Sequence, residues 1–312
     1  MLTPMKITEL LCFGALPGQG NPALVVQGDG WTASQRQHFA YTQQRSACVF
    51  IDAAANEVVL DYFYPHTRSP LCLHATLAAA AVLFDDADSA TYARPSGLAR
   101  NTAGTAAAPG ANDPTTVAKP PRDAEQPVHA ITVRTALRGQ PLHLSRTGAG
   151  LFIALERQPA PTVELAPELI ARLMAAPGLQ PVCPPLVVSA GSPKLLLELS
   201  DCATLRALRP DLEFIAAWGR EHGVNGCYAW ARRADGAIEG RNFNHLDPAL
   251  EDSATGVAAA ALTLHLGHGF NLHQGENRGQ PCLLRTRLQG DTVLVGGATE
   301  AIPYHPKPAP NL

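Results

Sequence analysis

Charged residues are scarce in this sequence: they make up 16% of its 312 residues, and the formal net charge at pH 7 is −3. Because a basic excess is missing, we expect no nucleic-acid partner. Long hydrophobic runs are missing as well, since the runs at 77–84 and 257–264 fall short of the roughly 18 residues that cross a bilayer. We therefore expect no membrane partner.

Paired cysteine spacing is also absent. The seven cysteines, at positions 12, 48, 72, 183, 202, 227 and 282, form no C-x-x-C pair. An odd number of scattered cysteines argues against a disulfide framework and against a structural zinc site. The N-terminus lacks the basic stretch and apolar core of a secretory signal, so we expect a cytoplasmic protein with reduced, mostly buried thiols.

Two further absences concern ligands. Neither G-x-x-x-x-G-K-[ST] nor G-x-G-x-x-G occurs, so the sequence predicts no nucleotide cradle. His265, His268 and His273 lie close together in the sequence, but no cysteine or acidic triad with metal spacing accompanies them. We expect no metal ion.

The apolar content, 46% of residues, predicts a globular chain, and the length favours two domains of about 150 residues each. Both parts contain short strand patterns and one Ala-rich apolar helix, at 74–84 and at 255–266. A helix that is apolar on every side is typical of a core that other elements surround. Residues 86–127 have too few large apolar side chains to fold, so we expect a disordered insertion there.

The two apolar helices begin with similar segments, Cys72-Leu-His-Ala-Thr and Ala254-Thr-Gly-Val-Ala. If their N-termini faced each other across a cleft, free N–H groups and positive dipole ends would converge on one spot, which suits a carboxylate. Clefts between domains are common ligand sites. Composition alone is equally compatible with two unrelated Ala-rich core helices.

Five segments stand out: Gly20-Asn-Pro-Ala-Leu-Val-Val, Leu71-Cys-Leu-His-Ala-Thr-Leu, Ser189-Ala-Gly-Ser-Pro-Lys-Leu, Glu251-Asp-Ser-Ala-Thr-Gly and Gln274-Gly. In order and spacing, the chain resembles the PhzF-like phenazine-biosynthesis isomerase family. The resemblance implies an α+β fold of two pseudo-symmetric halves, each a mostly antiparallel curled sheet around a central buried helix, as in diaminopimelate epimerase. We expect residues 1–157 with 298–312 to form the first half, and 158–297 the second.

The resemblance also implies a cofactor-independent isomerase of biosynthesis that moves a proton on a small carboxylate-bearing metabolite, by a double-bond shift or an epimerisation. His74 and Asp252 are the implied catalytic residues, because an imidazole exchanges protons near neutrality and a carboxylate orients it or binds a substrate amine. Without the resemblance, a structural histidine and an Asp N-cap are the commoner interpretations. The implied substrate-binding residues are Asn21, Leu73, Thr255, Gly256, Val257, Gln274 and Gly275.

Four positions depart from the family pattern. Ser46 stands where the family has the glutamate that shuttles the proton, and a serine hydroxyl is no base near pH 7 unless another group deprotonates it. Leu73 replaces a glycine, Val257 a serine and Arg68 an acidic residue. Ser46 is therefore a candidate catalytic position with two interpretations: altered catalysis, or a catalytically lapsed protein that only binds a small acid.

Cys72 raises a third interpretation. Racemases of this fold carry one catalytic cysteine at each helix N-terminus, where the dipole lowers the thiol pKa. We take Ala254 as the counterpart of Cys72, so the second thiol is missing and a racemase is rejected. Cys72 is expected to be a buried, inert thiol, although chemistry at Cys48, Cys72 or His74 stays open. A small carboxylate is the expected partner in phenazine or other secondary metabolism, and a homodimer is a candidate assembly.

Overall fold

The computed structural model describes residues 5–54, 57–88, 129–243 and 251–307. The helices within these residues are α1 (Ala33–Gln43), α2 (Leu73–Asp88), α3 (Pro167–Leu173), α4 (Cys202–Ala207), α5 (Leu212–His222) and α6 (Gly256–Leu266). The strands are β1 (Lys6–Cys12), β2 (Asn21–Gln27), β3 (Ala47–Ala54), β4 (Glu57–Phe63), β5 (Arg68–Ser69), β6 (His129–Thr135), β7 (Pro141–Thr147), β8 (Gly150–Glu156), β9 (Leu186–Ser189), β10 (Pro193–Glu198), β11 (Cys227–Arg232), β12 (Ile238–Phe243), β13 (Glu251–Asp252), β14 (Asn271–Gln274), β15 (Cys282–Gln289), β16 (Thr292–Gly297) and β17 (Thr299–Ile302).

All of these strands join one hydrogen-bonded sheet. Its order is β17, β1, β2, β3, β4, β6, β7, β8, β16, β15, β14, β12, β11, β10, β9, and the two-residue strands β5 and β13 pair with β4 and β12. Neighbours run antiparallel except in four pairs: β2 with β3, β4 with β6, β10 with β11 and β12 with β14. The pairing of β8 with β16 joins the two parts of the chain.

The four parallel pairs show a structural repeat. Parallel strands need a crossover connection, and α1 connects β2 to β3 just as α4 and α5 connect β10 to β11. In the same way α2 lies between β4 and β6 in the chain, and α6 lies between β12 and β14. Two parts with one topology, each a largely antiparallel sheet with one central helix, confirm the predicted α+β architecture.

The central helices α2 and α6 are buried nearly all round. Residues 73–84 of α2 are buried without exception, and so are Gly256 and residues 258–264 of α6. Strands β1–β4, β7, β8 and β17 pack on α2, while β9, β10, β15 and β16 pack on α6. Alanine suits these helices because its small side chain lets strands approach closely from every side. The prediction of two fully buried helices is confirmed.

Three helices, α2, α3 and α4, differ from what the sequence predicts. Helix α2 continues to Asp88, and its last turn is fixed by Asp86 to Lys6 (3.1 Å) and Asp88 to Arg146 (3.0 Å). An insertion beginning at residue 86 is therefore wrong, and positions 89–127 of that segment lie outside the described residues. The sequence predicts a helix over 167–176, but α3 ends at residue 173, because Ala175 adopts a left-handed conformation with φ 47°. The short helix α4 was not predicted.

The last strand, β17, pairs with β1, so residues 299–302 return to the first part of the chain. The assignment of 1–157 with 298–312 and of 158–297 to two halves stays a prediction, since β8 and β16 pair across that boundary. No helix in the described part of the chain is long and apolar enough to cross a membrane.

The central helices carry the stability of the fold. Leu77 in α2 and Leu262 in α6 are fully buried. We expect Leu77→Ala and Leu262→Ala each to lower the free energy of unfolding by about 2–5 kcal/mol, through lost burial and cavity formation. Urea titration followed by circular dichroism measures the loss. Leu16→Ala is the control, because Leu16 is 64% exposed and should change stability by less than about 0.5 kcal/mol. Losses no larger than the control's would contradict this account.

Candidate active site

A cavity of about 770 Å³ lies where α2 and α6 begin, and both parts of the chain line it. Eight of the residues predicted from the sequence line this cavity: Asn21, Ser46, Leu73, His74, Asp252, Thr255, Gly256 and Val257. The structure therefore brings together most of the predicted site residues, although Asn21 and Val257 lie in different parts of the chain. Gln274 and Gly275 are not among the described residues that line it.

Two short strands set the directions in which the central helices begin. β5 precedes α2 and is tied to β4 by Arg68, whose Nε and Nη2 donate to the Asp61 carboxylate at 2.8 and 3.0 Å. β13 precedes α6 and is tied to β12 by Arg241, which donates to Glu251 at 2.9 and 2.7 Å. The same ion pair thus occurs in both halves with its charges exchanged between the strands. Arg68, which departs from the family pattern, has a structural partner in Asp61.

The repeat corrects one comparison made from the sequence. β5 and β13 occupy equivalent positions, and Leu73 and Gly256 are the first residues of the helices that follow. The structural counterpart of Cys72 is therefore Thr255, and the assignment to Ala254 is wrong by one residue. Neither residue is a cysteine, so the second thiol of a two-thiol racemase is still missing.

The two helix N-termini face each other at very short range. A Cβ placed on Gly256 would lie 2.7 Å from Cδ1 of Leu73, so the first residues of α6 and α2 are in contact. A Cβ on Gly191 would lie 2.9 Å from Leu71 and 3.2 Å from Val257. Leu71, Leu73 and Val257 thus bring apolar atoms to the space between the helices. In the family pattern that the sequence resembles, these two positions have the smaller Gly and Ser. Leu73 and Val257 therefore leave less space near the helix N-termini than Gly and Ser would.

Asp252 is held in place by neighbours of the second half. Its Oδ2 accepts hydrogen bonds from Nδ2 of Asn242 at 2.9 Å and from Oγ1 of Thr255 at 3.1 Å. Among the described residues that line the cavity, Asp252 and Glu251 are the carboxylates, and Glu251 is bound to Arg241. Asp252 is therefore the carboxylate best placed to meet a ligand.

Gln274 supports Asp252 from behind, and its prediction as a substrate-binding residue is corrected. It is 1% exposed, and its Nε2 donates to the backbone oxygen of Asp252 (2.9 Å) and to Oγ1 of Thr255 (3.0 Å). The hydroxyl of Tyr228 donates to its Oε1 at 3.1 Å. Every polar atom of this side chain is thus used inside the protein, which makes Gln274 a positioning residue.

Gly275 is a turn residue rather than a lining residue. Its φ is +91°, a region that glycine adopts without strain. A Cβ at this position would lie 2.2 Å from the backbone oxygen of Gln280 and 2.6 Å from that of Ser253. The glycine therefore lets two backbone segments meet close behind the cavity wall.

His74 lies on the cavity wall but is buried. Only 7% of it is exposed, and burial lowers the pKa of its imidazole to about 4. Nδ1 lies 3.3 Å from Sγ of Cys72. Burial therefore favours the neutral ring at pH 7, and proton exchange by His74 stays a prediction. A neutral ring still donates one hydrogen bond and accepts another.

The thiols near the cavity are protonated at neutral pH. Burial raises the pKa of Cys72 to about 11, although the hydroxyl of Tyr64 and the backbone N–H groups of His74 and Ala75 act in the opposite direction. Burial also raises the pKa of Cys48 to about 12, and Cys48 does not line the cavity. The structure therefore favours the interpretation of Cys72 as an inert thiol over thiolate chemistry.

Several lining residues were missed by the sequence reasoning. Lys194 is 1% exposed, its Nζ donates to the backbone oxygen of Asn225, and burial lowers its pKa to about 8. Oδ1 of Asn21 is buried with no hydrogen-bond partner in the described residues, so it can serve a ligand. The exposed cations at the cavity are Arg138, Arg220 and Arg278. A lysine within the apolar run of β10 was the available signal for Lys194.

Ser46 lies in the cavity wall just before β3 and is half-buried. Its neighbour Arg45 is bound through Nη2 to Oε2 of Glu9 at 3.1 Å. The cavity therefore has no carboxylate at the Ser46 position among the described residues of the first half. Among the described residues there is also no group of three or more His, Cys, Asp or Glu side chains placed to hold a metal ion.

A family model described as phenazine biosynthesis-like protein matches residues 11–156 and again 140–299. The two matches correspond to the two halves of the repeat and together cover most of the sequence. The chain belongs to the phenazine biosynthesis-like (PhzF) family.

Curated relatives of this PhzF-family chain are named isomerases. Trans-2,3-dihydro-3-hydroxyanthranilate isomerase of Pseudomonas chlororaphis is 24% identical over 290 residues, which cover 89% of this chain and 88% of that protein. An uncharacterized isomerase, YddE of Escherichia coli O157:H7, is 25% identical over 312 residues, covering 94% of this chain and 95% of the relative. These relatives support an isomerase-type enzyme that acts on a small molecule.

Solved structures share the fold. A PhzF-family phenazine biosynthesis protein of Bacillus anthracis has a TM-score of 0.69 at 15% identity, covering 96% of this chain and 98% of that one. A hydroxyproline epimerase from Agrobacterium vitis has a TM-score of 0.52 at 9% identity, covering 96% and 92%. The PhzF-family chain therefore has the predicted two-half, epimerase-like architecture.

The ionisation of Cys72 gives a direct test of its inertness. Because iodoacetamide reacts with the thiolate, Cys72 should be modified slowly at pH 7, with a rate that rises about tenfold per pH unit toward its raised pKa. Peptide mass spectrometry measures the rate at each cysteine. The partly exposed Cys183 and Cys202 are internal controls and should react first. Faster modification of Cys72 than of these two at pH 7 would reinstate thiolate chemistry.

Proposed function

We propose that this PhzF-family chain is a cofactor-independent isomerase that moves a proton on a small, carboxylate-bearing metabolite. The observation that carries the proposal is the convergence of two helix N-termini and Asp252 on one cavity of about 770 Å³. A cavity of this size suits a small molecule. The helix N-termini direct positive dipole ends at the cavity, and these ends favour an anion.

The charges around the cavity support an anionic substrate. Arg138, Arg220 and Arg278 lie at the cavity and are exposed, so they raise the local concentration of anions before binding. Inside, Oδ1 of Asn21 has no partner in the described residues and can accept a hydrogen bond from a substrate hydroxyl or amine. The negative charge of the Asp252 carboxylate can bind a substrate amine. Hydrogen bonds from Asn242 and Thr255 to Oδ2 hold this carboxylate in position.

The reaction that fits this arrangement is a proton shift next to a carboxylate. Removing a proton from the adjacent carbon places negative charge on the carboxylate, and the helix N-termini and hydrogen-bond donors stabilise that charge. His74 contributes as a neutral ring, which can donate a hydrogen bond to a substrate oxygen at pH 7. Return of the proton at a second carbon completes a double-bond shift, and its return to the same carbon gives an epimer.

The substrate of one relative gives a first compound to test. That relative is named trans-2,3-dihydro-3-hydroxyanthranilate isomerase, and its substrate carries both a carboxylate and an amine. We expect the carboxylate to meet the helix N-termini and the amine to meet Asp252 in the cavity of this chain. A place in phenazine or other secondary metabolism, a cytoplasmic location and a homodimeric assembly stay predictions.

Deuterium exchange tests the proposed function. In D2O, we expect the protein to catalyse deuterium incorporation into trans-2,3-dihydro-3-hydroxyanthranilate or a related unsaturated amino or hydroxy acid. Mass spectrometry measures the deuterium content of the compound over time. His74→Ala and Asp252→Asn should each lower the exchange rate at least about 100-fold, because the first removes a hydrogen-bond donor to the substrate oxygen and the second removes the carboxylate that binds the substrate amine. Asp235→Asn is the control, since Asp235 pairs with Arg233 at an exposed position and should leave the rate unchanged.

The thermal unfolding of each variant is measured in parallel. His74→Ala should unfold within a few degrees of the unmodified protein, whereas Leu77→Ala should unfold clearly earlier. A His74→Ala variant as unstable as Leu77→Ala but with normal exchange would show that His74 is only structural. Absence of exchange with every compound of the panel, while another PhzF-family isomerase exchanges its own substrate, would contradict the proposed function.

A small-acid-binding protein without catalysis is the second candidate, and Ser46 is the observation that favours it. Ser46 lines the cavity where the family pattern has a glutamate. Ser46→Glu should create or raise exchange if only the proton carrier has been lost. Tight binding of the acid without turnover, in both the unmodified protein and Ser46→Glu, would favour the binding protein.

A further inference from the structure

We propose that Lys194 is the catalytic residue that carries the proton, and that it supplies from the second half of the molecule the basic group that Ser46 cannot supply from the first. This inference rests on the proposed isomerase function. It concerns a residue that no motif of the sequence assigned to the reaction.

The alternation of side chains along β10 directs Lys194 inward. Leu195 and Leu197 pack in the outer core with α4 and α5, whereas Leu196 packs in the core that contains α6. Successive residues of a strand point to opposite faces, so Lys194 shares the inner face with Leu196. It is 1% exposed and lines the cavity. Its ammonium group is thus placed inside the curl of the second sheet, at the end where α6 begins.

The internal repeat shows that the fold does not require a lysine here. Gly191-Ser-Pro-Lys194 leads into β10 as Gly20-Asn-Pro-Ala23 leads into β2, and both glycines have positive φ, 96° and 121°. The first half therefore has a small apolar Ala23 where the second has Lys194. Because Ala23 forms an equivalent strand without a polar group, the buried amine of Lys194 is an addition to the scaffold.

The amine has little inside the protein to stabilise its charge. Its single hydrogen bond goes to the backbone oxygen of Asn225, and no carboxylate of the described residues lies within 4.0 Å of Nζ. A buried ammonium without an ion pair is costly, so burial favours the uncharged amine and lowers the pKa of Lys194 to about 8. Asp252 and Cys227 act on the amine in the opposite direction. The remaining titratable groups that line the cavity are Arg45, Tyr64, His66, Cys72, His74, Arg138, Arg220, Glu251 and Arg278.

The imidazole, thiol, phenol and serine hydroxyl in the cavity are poorer proton carriers than Lys194 near neutral pH. The pKa of His74 is lowered to about 4, that of Cys72 is raised to about 11, and burial raises the pKa of Tyr64 as well. Ser46 has no base paired with it in the described residues that would activate its hydroxyl. A catalytic base works best when its pKa lies near the working pH, and Lys194 comes nearest among these groups.

The step balances without an external reagent. The uncharged amine of Lys194 takes a proton from the substrate carbon next to the carboxylate: the C–H bond breaks, an N–H bond forms, and the electron pair moves into the conjugated system. The resulting ammonium returns the proton to the far carbon of that system, where a C–H bond forms. Lys194 ends as the free amine, and the substrate has exchanged the position of one double bond.

Substitution at Lys194 separates a base from a simple positive charge. Using the D2O exchange of the unsaturated-acid panel, we expect Lys194→Met and Lys194→Arg each to lower the rate at least about 100-fold, because neither has an amine that is free near neutral pH. Lys6→Met, which changes an exposed lysine paired with Asp86, should leave the rate unchanged. In the unmodified protein, kcat/KM should rise with pH and level off above about 8, since the uncharged amine is the active form.

Each outcome decides between the alternatives. Two results together would mean that Lys194 only anchors the carboxylate and would overturn the inference. They are normal exchange by Lys194→Arg and, in the unmodified protein, an exchange rate that falls as pH rises through about 8. Exchange that survives Lys194→Met would overturn it as well, while leaving the proposed function intact. No exchange by the unmodified protein would overturn the proposed function and this inference with it.

The ionisation of Lys194 is measured separately in the native, unmodified protein, so loss of folding in a variant cannot obscure it. The chain has four lysines, at positions 6, 119, 194 and 307. Trace acetylation with acetic anhydride between pH 6 and 11, read by peptide mass spectrometry, reports the free-amine fraction of each. Lys194 should reach half-maximal reactivity near pH 8. Half-maximal reactivity near pH 10.5, the ordinary pKa of a lysine, would overturn the inference.

Discussion

The end-on approach of α2 and α6 governs the geometry of the cavity. Both helices are enclosed by a single sheet that continues from one half to the other through β8 and β16, and their first residues, Leu73 and Gly256, are in contact. Both helices direct the positive ends of their dipoles toward the cavity. The backbone N–H groups of His74 and Ala75, at the start of α2, face the thiol of Cys72. The proposed carboxylate would lie where both dipole ends are directed, and this placement is the reason for expecting an anion in the cavity.

The near-symmetry of the scaffold makes its asymmetries informative. In the first half the arginine of the ion pair lies in the short strand, as Arg68 with Asp61, and in the second half the acid does, as Glu251 with Arg241. Both ion pairs hold the short strand that leads into the central helix. Lys194 has Ala23 as its counterpart, and Thr255 is the counterpart of Cys72. The second half contributes Lys194 and Asp252 to the cavity, whereas the first half contributes His74, Arg45 and Arg138. The two halves therefore bring different ionisable groups to one site.

Much of the fold could be predicted from the sequence because its central helices are apolar on every side. Residues 74–84 and 255–266 had no surface-facing stripe, so a surrounding sheet was the only stable environment for them. Their facing N-termini followed from the internal repeat. Helix α4 was missed because six residues are too few to show a helical period. The last turn of α2 was missed because its acidic residues bind Lys6 and Arg146, which are distant in sequence.

The site was harder to predict than the fold because sequence patterns do not reveal burial or register. Gln274 matched a family motif, yet its side chain is used to hold Asp252 and Thr255. His74 matched as well, but its pKa depends on desolvation, which only the packed structure determines. Lys194 belonged to a quoted motif without any assigned role, since its inward direction depends on the alternation along β10.

The central claim is that the cavity binds a carboxylate at the paired helix N-termini, and a matched pair of ligands tests it most directly. Isothermal titration calorimetry would compare 3-hydroxyanthranilate with 2-aminophenol, which is the same molecule without its carboxylate. Each helix N-terminus stabilises an anion by about 0.3–2 kcal/mol, so two of them should make the carboxylate compound bind at least about threefold more tightly. Equal affinity for the two compounds would contradict the account, because it would show that the helix N-termini do not contribute to binding.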